Sequence, residues 1–147
     1  MMLIELAREG FKNLTGVDYS SKSIELSQKI AKDQDLDITY KVADLLSQES
    51  VDALGKFKIA HDKGTYDAVA LMENPKEKRA NYIKNVSSLM EDDGLFIITS
   101  CNFTEKELLE SFTGTFTKFH IIPTQTFQFG GKIGNVVTSV VFKKTIV

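Results

Sequence analysis

Segments with helical spacing alternate with short apolar runs from Met1 to Phe112, and beyond that point no helical pattern returns. That change of rhythm constrains the fold more than any other feature. Alternation builds β-α-β units, whose strands lie parallel between layers of helices. Two β-rich runs in succession, Phe116–Ile122 and Val136–Phe142, suit an antiparallel pair instead. Their connection holds Pro123, Gly130, Gly131 and Gly134, residues of a loop or hairpin. The expected architecture is α/β: a Rossmann-like, doubly wound, mostly parallel sheet with a carboxy-terminal antiparallel strand pair, in one domain spanning residues 1–147.

The individual elements follow from spacing and punctuation. Met1–Glu9 has apolar residues at helical intervals, and Gly10 stops it. Leu14–Val17 reads as a strand ending at Asp18. Ser20 and Ser21 are candidate caps for a helix over about Lys22–Lys32. Ile38–Val42 reads as a strand ending at Asp44, and Leu45–Leu54 is weakly helical. Phe57–Ala60 is a strand leading into HDKGTYDAVAL, His61–Leu71. Asn74-Pro75-Lys76-Glu77 predicts a helix start, with Asn74 as cap and Glu77 reaching back. Ala80, Ile83, Val86, Ser87 and Met90 then trace one face. Leu95–Thr99 is a nearly continuous apolar run, as expected of a strand covered on both sides. Thr104 to Glu107 predicts a capping box for a short helix ending near Phe112.

Composition narrows the partners. A chain of 147 residues can bury a core of its own, and its 42% hydrophobic and 26% charged residues are those of a globular domain. A net charge of −2 gives no electrostatic ground for nucleic acid or a membrane surface as the main partner. The opening MMLIELAREGF lacks a basic leader and a small-residue cleavage site, so no signal peptide is expected. The single cysteine, Cys101, has no internal disulfide partner, which suits a reducing, intracellular setting: the cytoplasm, with the nucleus as a second place.

In open α/β sheets, ligands bind beyond the carboxyl ends of the strands. Three successive strand ends here carry an acid: Asp18, Asp44 and Asp62. Asp18 can accept hydrogen bonds from two ribose hydroxyls, with Tyr19 packing on the adenosine. Asp44 can accept from an adenine amino group, with Ala43 and Leu45 lining the ring. A carboxylate at Asp62 favours a cationic sulfonium and can orient an amine. The competing reading of each acid is a turn former or helix cap. Recurrence at three strand ends tips the set towards a ligand site along a single rim.

GVDYSSKSIELS, VADLL, DKGTYDAV, ITSCNFTEKELLESF and FGGKIGNVV together resemble the elongation factor 1-alpha lysine methyltransferases, a class I, seven-strand family. The similarity covers nearly the whole chain. It implies S-adenosylmethionine as cofactor and methylation of a lysine on translation elongation factor 1-alpha, a protein substrate; a monomer is expected. It implies Asp18 and Tyr19 in the ribose site, and Asp44 and Leu45 in the adenine site. Asp62, Lys63, Gly64 and Thr65 would fall at the catalytic rim. There Asp62 would face cofactor and substrate, Gly64 would let the backbone approach closely, Lys63 would be a solvated neighbour and Asp67 would begin the next structured run. The family opens with a strand and a glycine-rich loop, whereas Met1–Phe11 resembles the helix that follows them. The resemblance therefore implies an amino-terminally truncated domain.

Methyl transfer to lysine is an in-line displacement that needs a neutral amine. Apolar burial lowers the amine's pKa, and positioning supplies most of the rate. Phe103 and Tyr66 are candidate slot walls with cation–π capacity, although core packing is the commoner role of such rings. Gly130–Gly134 does not stand between a strand and a helix, so it reads as a hairpin loop and not a phosphate loop. His61 and His120 lack neighbours at metal-ligand spacing, and no metal is expected. Cys101 reads as a buried inert thiol, and Glu91–Asp93 as a solvated loop. Two further readings stand beside the methyltransferase: a non-catalytic truncated form that keeps a partner-binding surface, and a nicotinamide oxidoreductase. DKGTYDAV and the terminal β-pair speak against the oxidoreductase.

Overall fold

The computed structural model describes residues 2–123, 128–129, 132–133 and 137–145. The chain packs as two compact units, Met1–Leu45 and Leu46–Val147.

The first unit is a single β-α-β element preceded by a helix. Helix α1 (Met2–Arg8) ends before Gly10, and strand β1 (Thr15–Asp18) leads into helix α2 (Ser21–Asp33) and strand β2 (Thr39–Val42). The Ser20 side chain accepts from the Ser23 amide, so the first of the two candidate serines is the cap. β1 and β2 pair in parallel, with Thr15 opposite Thr39 and Asp18 opposite Val42. Gly16 is required by packing: a Cβ there would lie 2.5 Å from the Tyr40 ring and 2.9 Å from Leu3.

The second unit opens with helix α3 (Gln48–Leu54), capped by Ser47, three residues later than the expected start at Leu45. Strand β3 (Phe57–Lys63), helix α4 (Thr65–Val69), helix α5 (Pro75–Leu89), strand β4 (Met90–Ser100), helix α6 (Glu105–Phe112) and strand β5 (Phe116–Ile122) follow. A short antiparallel ladder joins β6 (Gln128–Phe129) to β7 (Lys132–Ile133), in keeping with the expected hairpin; Gly130, Gly131 and Gly134 lie outside the described residues. Strand β8 (Thr138–Lys144) completes the unit. The four-stranded sheet runs β3-β4-β8-β5, parallel between β3 and β4 and antiparallel at both β8 ladders.

Alternation sorts its two faces. Phe96, Ile98, Val140 and Phe142 are buried on one, where Phe112 stacks on Phe96 and Phe142 at centroid distances of 5.8 and 5.1 Å. Tyr66, Tyr82, Leu108 and Phe116 complete this core. On the other face His61 bonds Thr99 at 3.0 Å, and Thr99 bonds Ser139 at 3.0 Å.

Several expectations change. β3 runs on to Lys63, so Asp62 lies inside the strand and not beyond it. α4 begins at Thr65, two residues before Asp67, and Leu71 after it is 80% exposed instead of continuing a buried run. Asn74 does not cap α5 through its side chain. It takes a left-handed conformation (φ 52°, ψ 55°) and turns the chain into Pro75. Glu91–Asp93 belongs to β4, where the register jumps from Phe57 opposite Met90 to Ile59 opposite Leu95 and pushes these acids outward. Asp93 and Asp92 there face Lys143 and Lys144. The Thr104–Glu107 capping box forms as expected.

Candidate functional site

The carboxyl ends of β1 and β2 lie side by side because the strands are parallel and in register. Asp18, Tyr19, Ala43, Asp44 and Leu45 therefore gather at one edge of the first unit. The Ala43 amide continues the ladder by donating to the Asp18 carbonyl at 3.0 Å. Asp18 Oδ1 accepts the Ser20 amide at 2.9 Å, an Asx-type turn, and Asp18 stays exposed. The turn-former reading thus holds for one carboxylate oxygen and leaves the other open to solvent. Tyr19 is 79% exposed and Ala43 is buried.

Asp62, Lys63, Gly64 and Thr65 stand at the carboxyl end of β3 in the second unit. Asp62 is buried. Its Oδ1 accepts the Thr65 amide at 2.8 Å; its Oδ2 accepts the Tyr66 amide at 3.0 Å and the Tyr82 hydroxyl. Burial pushes its carboxyl above the ordinary range, and those three donors only partly offset the effect. The carboxylate holds the opening of α4 against its own strand. Gly64 has φ +94°, and a Cβ there would meet nothing within 4 Å. Its glycine answers a left-handed backbone, then, and not crowding by protein. Lys63 and Thr65 are exposed.

A second buried acid ties α4 to the neighbouring strand end. Asp67 accepts from the Ser100 hydroxyl and, at 3.1 Å, from the Cys101 amide. Ser100 Oγ in turn accepts the Asn102 and Phe103 amides, so the turn after β4 is held throughout. Cys101 is exposed, contrary to the buried thiol expected, and its Sγ sits 3.6 Å from Asp67 Oδ2.

The aromatic slot also differs from expectation. Tyr66 and Phe103 have ring centroids 5.2 Å apart, in contact with each other, which leaves no gap between them for an alkyl chain. Tyr66 is a core residue, and its hydroxyl is buried without a partner among the described residues. Phe103 is half-exposed and carries the Arg79 guanidinium 5.8 Å above its ring. Among the described residues, no three of His, Cys, Asp and Glu are grouped to hold a metal ion.

Sequence reasoning missed Tyr82, Asp67 and Ser100. A tyrosine on the inward face of a helix was the one available signal, because a buried phenol needs a partner. Nothing in the spacing of Asp67 and Ser100 announces their pairing.

A family model described as "Methyltransferase domain" matches residues 1–141. The chain is 44% identical over 146 residues to "EEF1A lysine methyltransferase 2" of Mus musculus, covering 98% of this chain and 59% of that protein. It is 36% identical over 151 residues to "Protein-lysine N-methyltransferase EFM4" of Saccharomyces cerevisiae, covering 97% of this chain and 65% of that protein. It spans about three fifths of the length of the curated relatives it matches. A crystal structure of a SAM-dependent methyltransferase from Methanosarcina mazei superposes with a TM-score of 0.76 at 17% identity, over 99% of this chain and 87% of that one. At that identity the likeness is one of fold, and it agrees with the expected class I architecture.

Proposed function

This chain belongs to the methyltransferase domain family, and from that premise we propose that it moves a methyl group from S-adenosylmethionine to a lysine side chain of translation elongation factor 1-alpha. The observation that carries the reading is 44% identity, over 98% of the chain, to a relative named for that activity. The geometry of the first unit supports the cofactor. Asp18 keeps one carboxylate oxygen clear of its turn bond, which suits a pair of ribose hydroxyls. Ala43, Asp44 and Leu45 follow the adjacent parallel strand, where an adenine would be lined and its amino group bonded.

When bound, S-adenosylmethionine supplies an electrophilic methyl group on a sulfonium. The chain's own residues must bring a neutral amine in line with it. An apolar setting lowers the lysine pKa, and Phe103 offers a half-exposed ring for the alkyl stem. Asp62 has three donors filling its carboxylate and room for one more at Oδ1, enough to orient an amine without acting as a strong base. Most of the rate then comes from positioning. The single cysteine supports a reducing, cytoplasmic setting. A monomer is the working state we assign.

Calorimetry with S-adenosylhomocysteine tests the cofactor, and mass spectrometry of purified elongation factor 1-alpha tests the product. Saturable heat and a methylated lysine are expected. Asp18→Ala should weaken binding by about tenfold or more, the loss of a charge-assisted hydrogen bond. A chain that unfolds cooperatively yet gives no heat overturns the reading in favour of a non-catalytic binding protein.

A further inference from the structure

The mechanism above gives the buried phenol of Tyr82 no task. Tyr82 lies on α5, is 1% exposed, and directs its hydroxyl at Asp62 Oδ2. That same oxygen already receives the Tyr66 amide, so the phenol completes its two acceptor positions. Among the described residues, Oδ1 receives only the Thr65 amide. Asp62 is thereby fixed in rotation: one oxygen is closed by α5 and α4, and the other has a single direction left.

The consequence reaches the exposed rim. Lys63, Gly64 and Thr65 are spanned by the bonds from Asp62 to the Thr65 and Tyr66 amides, and Gly64 supplies the left-handed step that lets the chain turn there. Tyr66 also packs on Tyr82, with centroids 5.6 Å apart. Phenol, carboxylate and turn form one clamp, built from residues of three elements. α5 is the only long helix among them, and so provides the rigid anchor.

We propose that Tyr82 is a positioning residue for methyl transfer, acting through Asp62 to hold the Lys63–Thr65 turn and the free side of the Asp62 carboxylate in the orientation the reaction needs. This rests on the methyltransferase reading. Reactions that depend on in-line alignment lose about a hundredfold for a displacement of about 1 Å. A hydroxyl remote from the reacting atoms is therefore enough to matter.

Tyr82→Phe in the whole chain is the test, because it deletes the donor and keeps the ring. Three readouts are taken on wild type and variant: carbon-13 titration of the Asp62 carboxyl, hydrogen exchange at the Thr65 and Tyr66 amides, and steady-state methyl transfer. The groups facing Asp62 are Tyr82 from α5 and Asp67 and Tyr66 from α4, while His61 on its own strand points to the other face and acts only through its charge; the neighbour on β4 is the apolar Ile98. Of these only Tyr82 changes. The Asp62 midpoint should move to higher pH, and exchange at Thr65 and Tyr66 should quicken about tenfold or more while Leu108 in α6 is unaffected. kcat should fall about tenfold or more, with the KM for S-adenosylmethionine within about threefold. An unmoved Asp62 midpoint shows that the bond is absent and overturns the proposal. A shifted midpoint with unchanged kcat makes Tyr82 a structural residue only, which also overturns it. A wild-type chain that binds no S-adenosylhomocysteine fails the methyltransferase reading itself and ends the catalytic role with it, whatever the titration shows.

Discussion

Replacing Phe112 by alanine lowers the unfolding free energy of the second unit by about 3–5 kcal/mol, the range for deleting a large aromatic from a packed core. Phe112 is fully buried at the end of α6 and touches four other rings: Tyr66 at 5.1 Å, Phe96 at 5.8 Å, Phe116 at 5.9 Å and Phe142 at 5.1 Å. Those rings come from α4, β4, β5 and β8, so the cavity opens where separate elements meet and no single one can move in to fill it. Urea unfolding followed by the tyrosine near-ultraviolet signal measures the loss. A change below about 1 kcal/mol would mean that the rings do not share one cluster.

Asp62→Ala carries the second large effect, a loss of about 2–4 kcal/mol. The substitution strands the Tyr66 amide and the Tyr82 hydroxyl in a buried setting and removes the partner of the part-buried Thr65 amide. Asp62→Asn keeps an acceptor oxygen and should cost much less at neutral pH. The comparison has a definite pH sign. Burial holds the Asp62 carboxyl above the value of an unfolded chain, so between the two values the folded state keeps a proton that the unfolded state has released. Its stabilising contribution is complete below the unfolded value of about 3.9 and is lost as pH rises through the folded value. Wild type should therefore lose ground to Asp62→Asn as pH climbs out of the acid range. A gain for wild type over that interval would show the carboxylate to be held low instead.

Both effects depend in part on partners distant in the chain, Tyr82 for Asp62 and Tyr66, Phe96 and Phe142 for Phe112, and this separates what could be read early from what could not. Local signals located the elements well. Thr104 and Glu107 cap α6 as their spacing indicates, Gly10 follows the end of α1, and the apolar run at Leu95–Thr99 is the inner part of β4. Where a local signal misled, a tertiary demand outweighed it. Asn74 has the chemistry of a cap, yet the turn into α5 needs a left-handed residue at that position. The acids Glu91–Asp93 look like loop residues, yet the strand passes through them by changing register.

The site divides along the same line. Asp18, Asp44 and Asp62 were singled out because strand ends in open α/β sheets are where ligands meet the chain, and the parallel pairing of β1 with β2 sets the first two on a common edge. Their environments were not legible. One carboxylate remains open to water, and another is buried under a phenol twenty positions along the chain. By itself the sequence determined the order and type of most elements, the short helix α4 excepted, because periodicity and capping act within a few residues. Only the tertiary structure decided that Asp62 is held by Tyr82, that Asp67 ties α4 to the end of β4, and that the Tyr66 ring packs tilted against Phe103. Burial and hydrogen-bond pairing depend on which distant segments the sheet brings together.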